Sequence, residues 1–377
     1  MQSFSLECSV CGKAFSYPPP SPEHRHKELE IGGVPINFWM ALYRLVATYP
    51  ITDPDAKGIL KYRQMLPLDD QEVLSQGEGN TPFLELDSVS GARVFLKDES
   101  QNPTGSFKDR GMPLLIAEAR SLGKKRAAIP STGNAGVSFV SYAGLAGIEP
   151  VVFLSKDTAQ VKIDKMKEQG ASLIFDKDLI ESYEHFVRYC RKHHDVYNGL
   201  PATNVAYIQG LKTAAYEIYE QMGNNVPDWV VLPCGSGGNV LGYYYGFKDL
   251  MDMGLIQHIP RLVPVQIKGA DPITYGFIHQ IKDHVPVLEH PTDSRAEAIA
   301  SDTCFNALRI HEILAATNGM AISVTDDDID RVQGHDGLEF SSRAVFPALD
   351  AIQNDIISGE SVVLVGTASS RKKLLVN

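Results

Sequence analysis

From Val94 onward the chain alternates short β-branched, apolar runs with longer amphipathic stretches, and this alternation constrains its fold more than any other feature. Val94–Leu96, Ala127–Ile129, Val151–Leu154, Ser172–Phe175, Trp229–Leu232, Val263–Ile267 and Val362–Val365 read as buried strands. Between them lie helical stretches such as Ala159–Gln169 and Leu211–Met222. Strands separated by helices cannot pair through tight hairpins. They need crossovers, so the expected architecture is α/β, with largely parallel sheets flanked by helices.

At 377 residues the chain is too long for one ordinary core and long enough for two lobes. No apolar run approaches the roughly 20 residues of a membrane-spanning helix, and Met1–Leu6 has no signal-peptide pattern. A formal charge of −11 argues against nucleic acid as a partner. Five cysteines at positions 8, 11, 190, 234 and 304 form no disulfide framework, so a reducing cytoplasm is expected. Cys8 and Cys11 have the spacing of half a zinc knuckle. The second cysteine pair is missing and His24 and His26 are poorly spaced to replace it, so the expectation is a vestige without metal. Pro18–Pro20 and Pro22 interrupt regular structure near the start, and Ile36–Tyr43 reads as a short packed helix.

Three loops carry the chemistry. The first, Asn102–Gly111, holds Lys108 between small residues, and a helix is expected to open at Asp109. The positive end of a helix dipole makes a lysine a better nucleophile, which suits a Schiff-base enzyme. The second, Ser131-Thr132-Gly133-Asn134-Ala135-Gly136, follows a strand, where open α/β sheets bind ligands. Asn134 there either caps the turn or faces a ligand. The third, Gly235-Ser236-Gly237-Gly238-Asn239, lies between a strand and the helix expected over Val240–Asp249. Its glycines let successive amides turn toward an anion at a helix start. No lysine-serine pair follows it, and Val240 stands where a dinucleotide fingerprint needs glycine, so a cofactor phosphate is the expected tenant.

In that order the three segments resemble threonine synthase and its relatives among the fold-type II pyridoxal-phosphate enzymes, with Pro103–Gly111 matching almost residue for residue. The resemblance runs from about Leu74 to Thr367 and opens with Gly77-Glu78-Gly79-Asn80-Thr81-Pro82. It implies a two-lobed enzyme. Residues 76–125 and 215–377 would form a large cofactor-binding domain, 126–214 a small α/β domain, and 1–75 an extension. It implies that Lys108 carries pyridoxal 5'-phosphate, that Asn134 meets its phenolic oxygen and that Gly235–Asn239 hold its phosphate. Ser106, Ser131 and Thr132 would hold the substrate. Thr367, with Ser369 in reserve, would face the ring nitrogen as a neutral hydroxyl. A homodimer acting on a small amino acid is expected.

One departure concerns the substrate. The family commonly reads Asn-Pro-x-Arg-x-x-Gly-Gln-Lys-Thr where this chain has Asn204–Thr213, so Tyr207 replaces an arginine expected to help hold a phosphate. A guanidinium offers a bidentate fork and a phenol one hydrogen bond. Lys212 and Arg110 are the residues that would compensate. Two activities therefore stay open: conversion of O-phosphohomoserine to threonine and phosphate, and β-replacement or β-elimination on a serine- or cysteine-type amino acid. A non-catalytic ligand-binding protein and a nucleotide-binding enzyme are the remaining readings, opposed by Lys108 and by the lack of a phosphate-loop lysine.

Overall fold

The computed structural model describes residues 52–67, 73–131, 133–282, 285–288 and 292–370, and the backbone of five short strands before residue 43. Cys11, His24, His26 and Thr132 lie outside the described residues, as does the side chain of Cys8. Trp39–Leu42, expected within a helix, is instead a strand paired antiparallel with Ser5–Cys8. A four-residue apolar run has no resolvable period, so its pairing partner decides its form.

The chain forms two compact units, one of residues 1–78 and 108–211, the other of 79–107 and 212–377. It passes from one to the other three times, between Glu78 and Gly79, between Phe107 and Lys108, and between Leu211 and Lys212.

The first unit contains a parallel four-stranded sheet in the order Ser172–Asp176, Glu149–Ser155, Arg126–Pro130, Val196–Asn198. Its strands are crossed over by the helices Asn134–Leu145, Gln160–Glu168 and Leu179–Lys192. Asn204 caps the helix Val205–Leu211 by accepting from the Tyr207 amide at 2.7 Å. The same side chain donates to the Tyr197 hydroxyl at 2.6 Å, and that hydroxyl donates to buried Glu118. A helix start is thereby tied to the core of the unit.

The second unit is a six-stranded sheet in the order Ile322–Val324, Arg261–Ile267, Trp229–Pro233, Ser361–Gly366, Ala92–Asp98, Phe83–Val89. All neighbours are parallel except the last pair, a hairpin. Each of the seven strands read from the sequence is present, extended by a residue or two at most ends. Phe83–Val89, Val196–Asn198 and Ile322–Val324 were not legible. Phe83–Val89 has no fully buried residue and the other two have three residues each, so their patterns are weak.

Inside this unit the Lys97 ammonium is buried against Glu217 Oε2 at 2.7 Å, and it also donates to the Gln221 side chain and the Thr81 carbonyl. Glu217 in turn accepts from the Asn80 amide. The segment Gly79–Pro82 is held from its other side by Asn102 Oδ1 on the Gly79 amide at 2.9 Å and by Glu99 on the Thr81 hydroxyl at 2.7 Å. A buried charge stripped of its partner is costly, because the low-dielectric interior cannot resolvate it. Glu217→Ala is therefore expected to lower unfolding free energy by about 3–5 kcal/mol. Urea unfolding checks it, and a loss within the scatter of a surface substitution would show that this pair does not anchor the loop.

Candidate active site

Three neighbouring parallel strands of the second unit end at the same edge of its sheet. Trp229–Pro233 runs into the glycine loop, Ser361–Gly366 into Thr367, and Ala92–Asp98 into the segment that leads to Lys108. Parallel pairing is what delivers all three to one edge, the carboxyl edge where α/β sheets bind ligands.

The glycine loop opens the 15-residue helix Gly238–Asp252, two residues earlier than the sequence pattern placed it. Gly237 has φ of +87°, and a Cβ there would lie 2.6 Å from Ile310 Cδ1 and 2.9 Å from Asn306 Cβ. A Cβ on Gly235 would run into the Ala298 carbonyl. Asn306 Nδ2 donates to the Ser236 carbonyl at 2.7 Å, pinning the loop from beneath. The first amides of a helix have no intrahelical acceptor and carry its positive dipole end, so the loop can hold an anion. Asn239 adds a buried side-chain amide, Nδ2, that has no partner among the described residues.

The lysine segment is stitched to the end of the neighbouring strand. Phe107 N–H donates to the Thr367 carbonyl at 3.0 Å, Ser369 N–H donates to the Gly105 carbonyl at 2.9 Å, and Ser106 bridges Ala368 antiparallel. The Ser106 hydroxyl is buried without a partner among the described residues. Thr367 Oγ1 lies 2.8 Å from Ser342 Oγ, a residue the sequence did not single out. Nothing near Ser342 in sequence marks it, because a short 3₁₀ turn, Phe340–Ala344, brings it to the strand end.

In the first unit Lys108 lies in the 3₁₀ turn Phe107–Arg110, and the α-helix begins only at Met112. This corrects the expected start at Asp109, since Pro113 suits a position just inside a helix start. The helix Val205–Leu211 backs the turn closely. A Cβ on Gly111 would lie 2.6 Å from Tyr207 Cε2, and one on Gly210 would meet the Arg110 carbonyl. Next to Lys108, Asp109 accepts from the Ser138 hydroxyl at 2.6 Å. Ser131, expected to hold substrate, has its hydroxyl oxygen on the Gly136 amide at 2.9 Å and the Gly133 amide at 3.3 Å. It thus accepts from an amide in the first turn of the helix Asn134–Leu145, and its own proton remains for another acceptor. Asn134 is the first residue of that helix, with Gly133 as the cap residue.

Two expected substrate contacts sit in tight surroundings. Tyr207 is buried, its hydroxyl has no partner among the described residues, and burial, with the charge of Asp109, pushes its pKa well above the usual tyrosine range. It stays a neutral phenol. Lys212, in the second unit, ion-pairs with Asp249, which also accepts from the Tyr216 hydroxyl. Burial lowers the Lys212 pKa while the Asp249 carboxylate works in the opposite direction. Glu78, within the matched loop, is pushed above the usual carboxylate range by burial, although the Tyr142 hydroxyl donates to it at 2.7 Å. Among the described residues no group of three or more His, Cys, Asp or Glu side chains is arranged to hold a metal ion. No helix among them is long and apolar enough to cross a membrane.

Comparison with known proteins bears on this arrangement. A family model described as pyridoxal-phosphate dependent enzyme matches residues 74–367. Threonine synthase of Methanocaldococcus jannaschii is 31% identical over 282 residues, covering 73% of this chain and 69% of the relative. Threonine synthase of Mycobacterium tuberculosis is 30% identical over 327 residues, covering 83% and 88%. Among solved structures, a fungal L-serine ammonia-lyase from Rhizomucor miehei superposes with a TM-score of 0.67 at 19% identity, over 78% of this chain and 94% of that one. Serine racemase from Dictyostelium discoideum gives 0.64 at 21% identity, over 78% and 93%. At those identities the structures establish the fold.

Gly237→Ala tests the anion cradle. A left-handed conformation costs a non-glycine residue roughly 1–2 kcal/mol, and the added methyl also meets Ile310. Titrating pyridoxal phosphate into apo-protein should show affinity reduced by about tenfold or more. Unchanged affinity would remove the loop from the site.

Proposed function

The chain belongs to the pyridoxal-phosphate-dependent enzymes, as a threonine synthase-like lyase of fold type II, and from that premise we propose that it converts O-phosphohomoserine and water to threonine and phosphate. The observation that carries this reading is the extent of the likeness: threonine synthases at 30–31% identity cover 73–83% of this chain, and the matching family model spans 74–367, which holds all three loops.

The residues present suit the cofactor. The glycine loop offers amides at a helix start, and Gly235 and Gly237 pack against Ala298 and Ile310 too closely for a side chain, which fixes the backbone that presents those amides. The buried Asn239 amide and Ser106 hydroxyl lack partners among the described residues, as polar atoms awaiting a ligand do. Thr367, whose hydroxyl lies at the end of its strand beside Ser342, would offer the ring nitrogen a hydroxyl rather than a carboxylate. Bound there, the cofactor supplies an electron sink for charge developing at the substrate's Cα.

The chain's own residues then divide the work. Lys108 would hold the cofactor through its amine and would move protons at the substrate's Cα and Cβ. Asn134 would meet the phenolic oxygen, and Ser131, Thr132 and Ser106 would receive the substrate carboxylate. Ser131 suits this because its oxygen is engaged by the Gly136 amide while its proton is left to donate. Lys108→Ala should give a folded protein without borohydride-reducible, lysine-linked cofactor. Peptide mapping that still finds such a link at another lysine would overturn the assignment.

A second reading rests on Tyr207 and Lys212. One is a neutral phenol and the other is already paired with Asp249, so neither matches a guanidinium for a dianion. That favours a less charged leaving group, hence β-elimination or β-replacement on a serine-type amino acid. A hydrogen bond to a charged group is worth roughly 1.5–3 kcal/mol, about one to two orders of magnitude in binding. Specificity constants for O-phosphohomoserine, O-phosphoserine and O-acetylserine, in wild type and Tyr207→Arg, separate the two. Threonine formation that rises by about tenfold in Tyr207→Arg fits the first reading. Faster turnover of a serine-type substrate with no threonine formed replaces it with the second.

A further inference from the structure

Ser342 stands at the junction of two hydrogen bonds whose direction can be worked out. Its Oγ accepts from the Ala368 amide at 2.9 Å and lies 2.8 Å from Thr367 Oγ1. Ser342 is fully buried, so no water receives its proton. Among the described residues these are its two side-chain partners, and an amide cannot accept. A buried O–H left without an acceptor costs the desolvation of that donor. The Ser342 proton therefore goes to Thr367 Oγ1. The Thr367 hydroxyl, receiving that proton on its oxygen, keeps its own for an acceptor beyond.

The surrounding backbone holds this arrangement still. The Thr367 carbonyl receives Phe107 N–H at 3.0 Å, and the Ala368 carbonyl receives Glu339 N–H at 2.7 Å. Ser342 itself sits in the turn Phe340–Ala344, its amide on the Glu339 carbonyl at 2.8 Å. Both hydroxyls thus belong to elements fixed by main-chain bonds on either side.

We propose that Ser342 is a positioning residue that makes Thr367 a one-way donor toward the cofactor's ring nitrogen. This rests on the reading that Thr367 faces that nitrogen. The chain of donors runs from Ala368 N–H through Ser342 O–H to Thr367 O–H. A donor at its end requires an acceptor, which an unprotonated pyridine nitrogen is and a pyridinium N–H is not. Successive hydrogen bonds polarise one another, so the last donor is strengthened by the first two. Ser342 would set the protonation of the ring without touching it.

The test uses holoenzyme loaded with pyridoxal phosphate carrying ¹⁵N at the ring nitrogen. Ser342→Ala should move the ring-nitrogen signal in the direction that Thr367→Val moves it, and weaken cofactor binding by about five- to tenfold. Ser342→Thr, which keeps the hydroxyl, should hold both close to wild type. In the Thr367→Val background, Ser342→Ala should add no further shift, because one acts through the other. A purely structural serine would alter stability and leave the nitrogen signal in place, and that result overturns the proposal. So does an additive double variant. Should Ser342→Ala fail to fold, Ser342→Cys replaces it. The weaker thiol donor should give a smaller shift in the same direction, and no shift overturns the idea. A nitrogen signal indifferent to Thr367→Val removes Thr367 from the ring, which overturns the underlying reading and is told apart by that single variant.

Discussion

Parallel pairing of Ser361–Gly366 with strands on both sides is the constraint on which the second unit depends. Register places Leu364 beside Val231 and Gly366 beside Asp98, so three chain segments far apart in sequence end at one edge. Each then turns into a loop with a different chemical character. One is rich in glycine at a helix start, one carries a hydroxyl, and one leads to the lysine. Antiparallel pairing would send alternate loops to opposite edges. The buried aliphatic residues of these strands, among them Val231, Val263, Val362 and Leu364, form the core that holds the register.

Buried polar groups do the finer positioning. Lys97, Glu217, Glu99 and Asn102 are all buried, and together they hold the segment Gly79–Pro82 through side-chain and main-chain bonds. Such a network is costly when half made and specific when complete. In the first unit glycine plays the equivalent part. Gly111 and Gly210 let the helix Val205–Leu211 approach the turn that carries Lys108 to a distance no side chain permits. The two devices differ in chemistry. The glycine pair constrains the backbone of the turn that carries Lys108.

Tyr207 shows how a motif position and a structural position diverge. Compared with the family pattern, it stands where an arginine would meet a phosphate. In the fold its ring is the surface on which Gly111 rests, and its hydroxyl stays protonated because burial disfavours the phenolate. Lys212 diverges similarly. In the sequence it is a candidate to compensate for the missing arginine, yet its ammonium belongs to a buried group with Asp249 and Tyr216.

Hydrophobic period and glycine placement are local properties, so the fold class, the seven central strands and the three loops were legible in the residues alone. The sequence also carried the family, through Pro103–Gly111 and the two glycine loops that follow. It was silent on Phe83–Val89, Val196–Asn198 and Ile322–Val324, whose length or exposure leaves no clear pattern. It misread Trp39–Leu42, where pairing with Ser5–Cys8 rather than period decides the form. Which hydroxyl meets which is settled by packing between distant segments. Ser342 reaches Thr367 across 25 residues of chain, and Glu217 reaches Lys97 across 120. Such partners are chosen by register and packing between distant segments, and no local pattern encodes them.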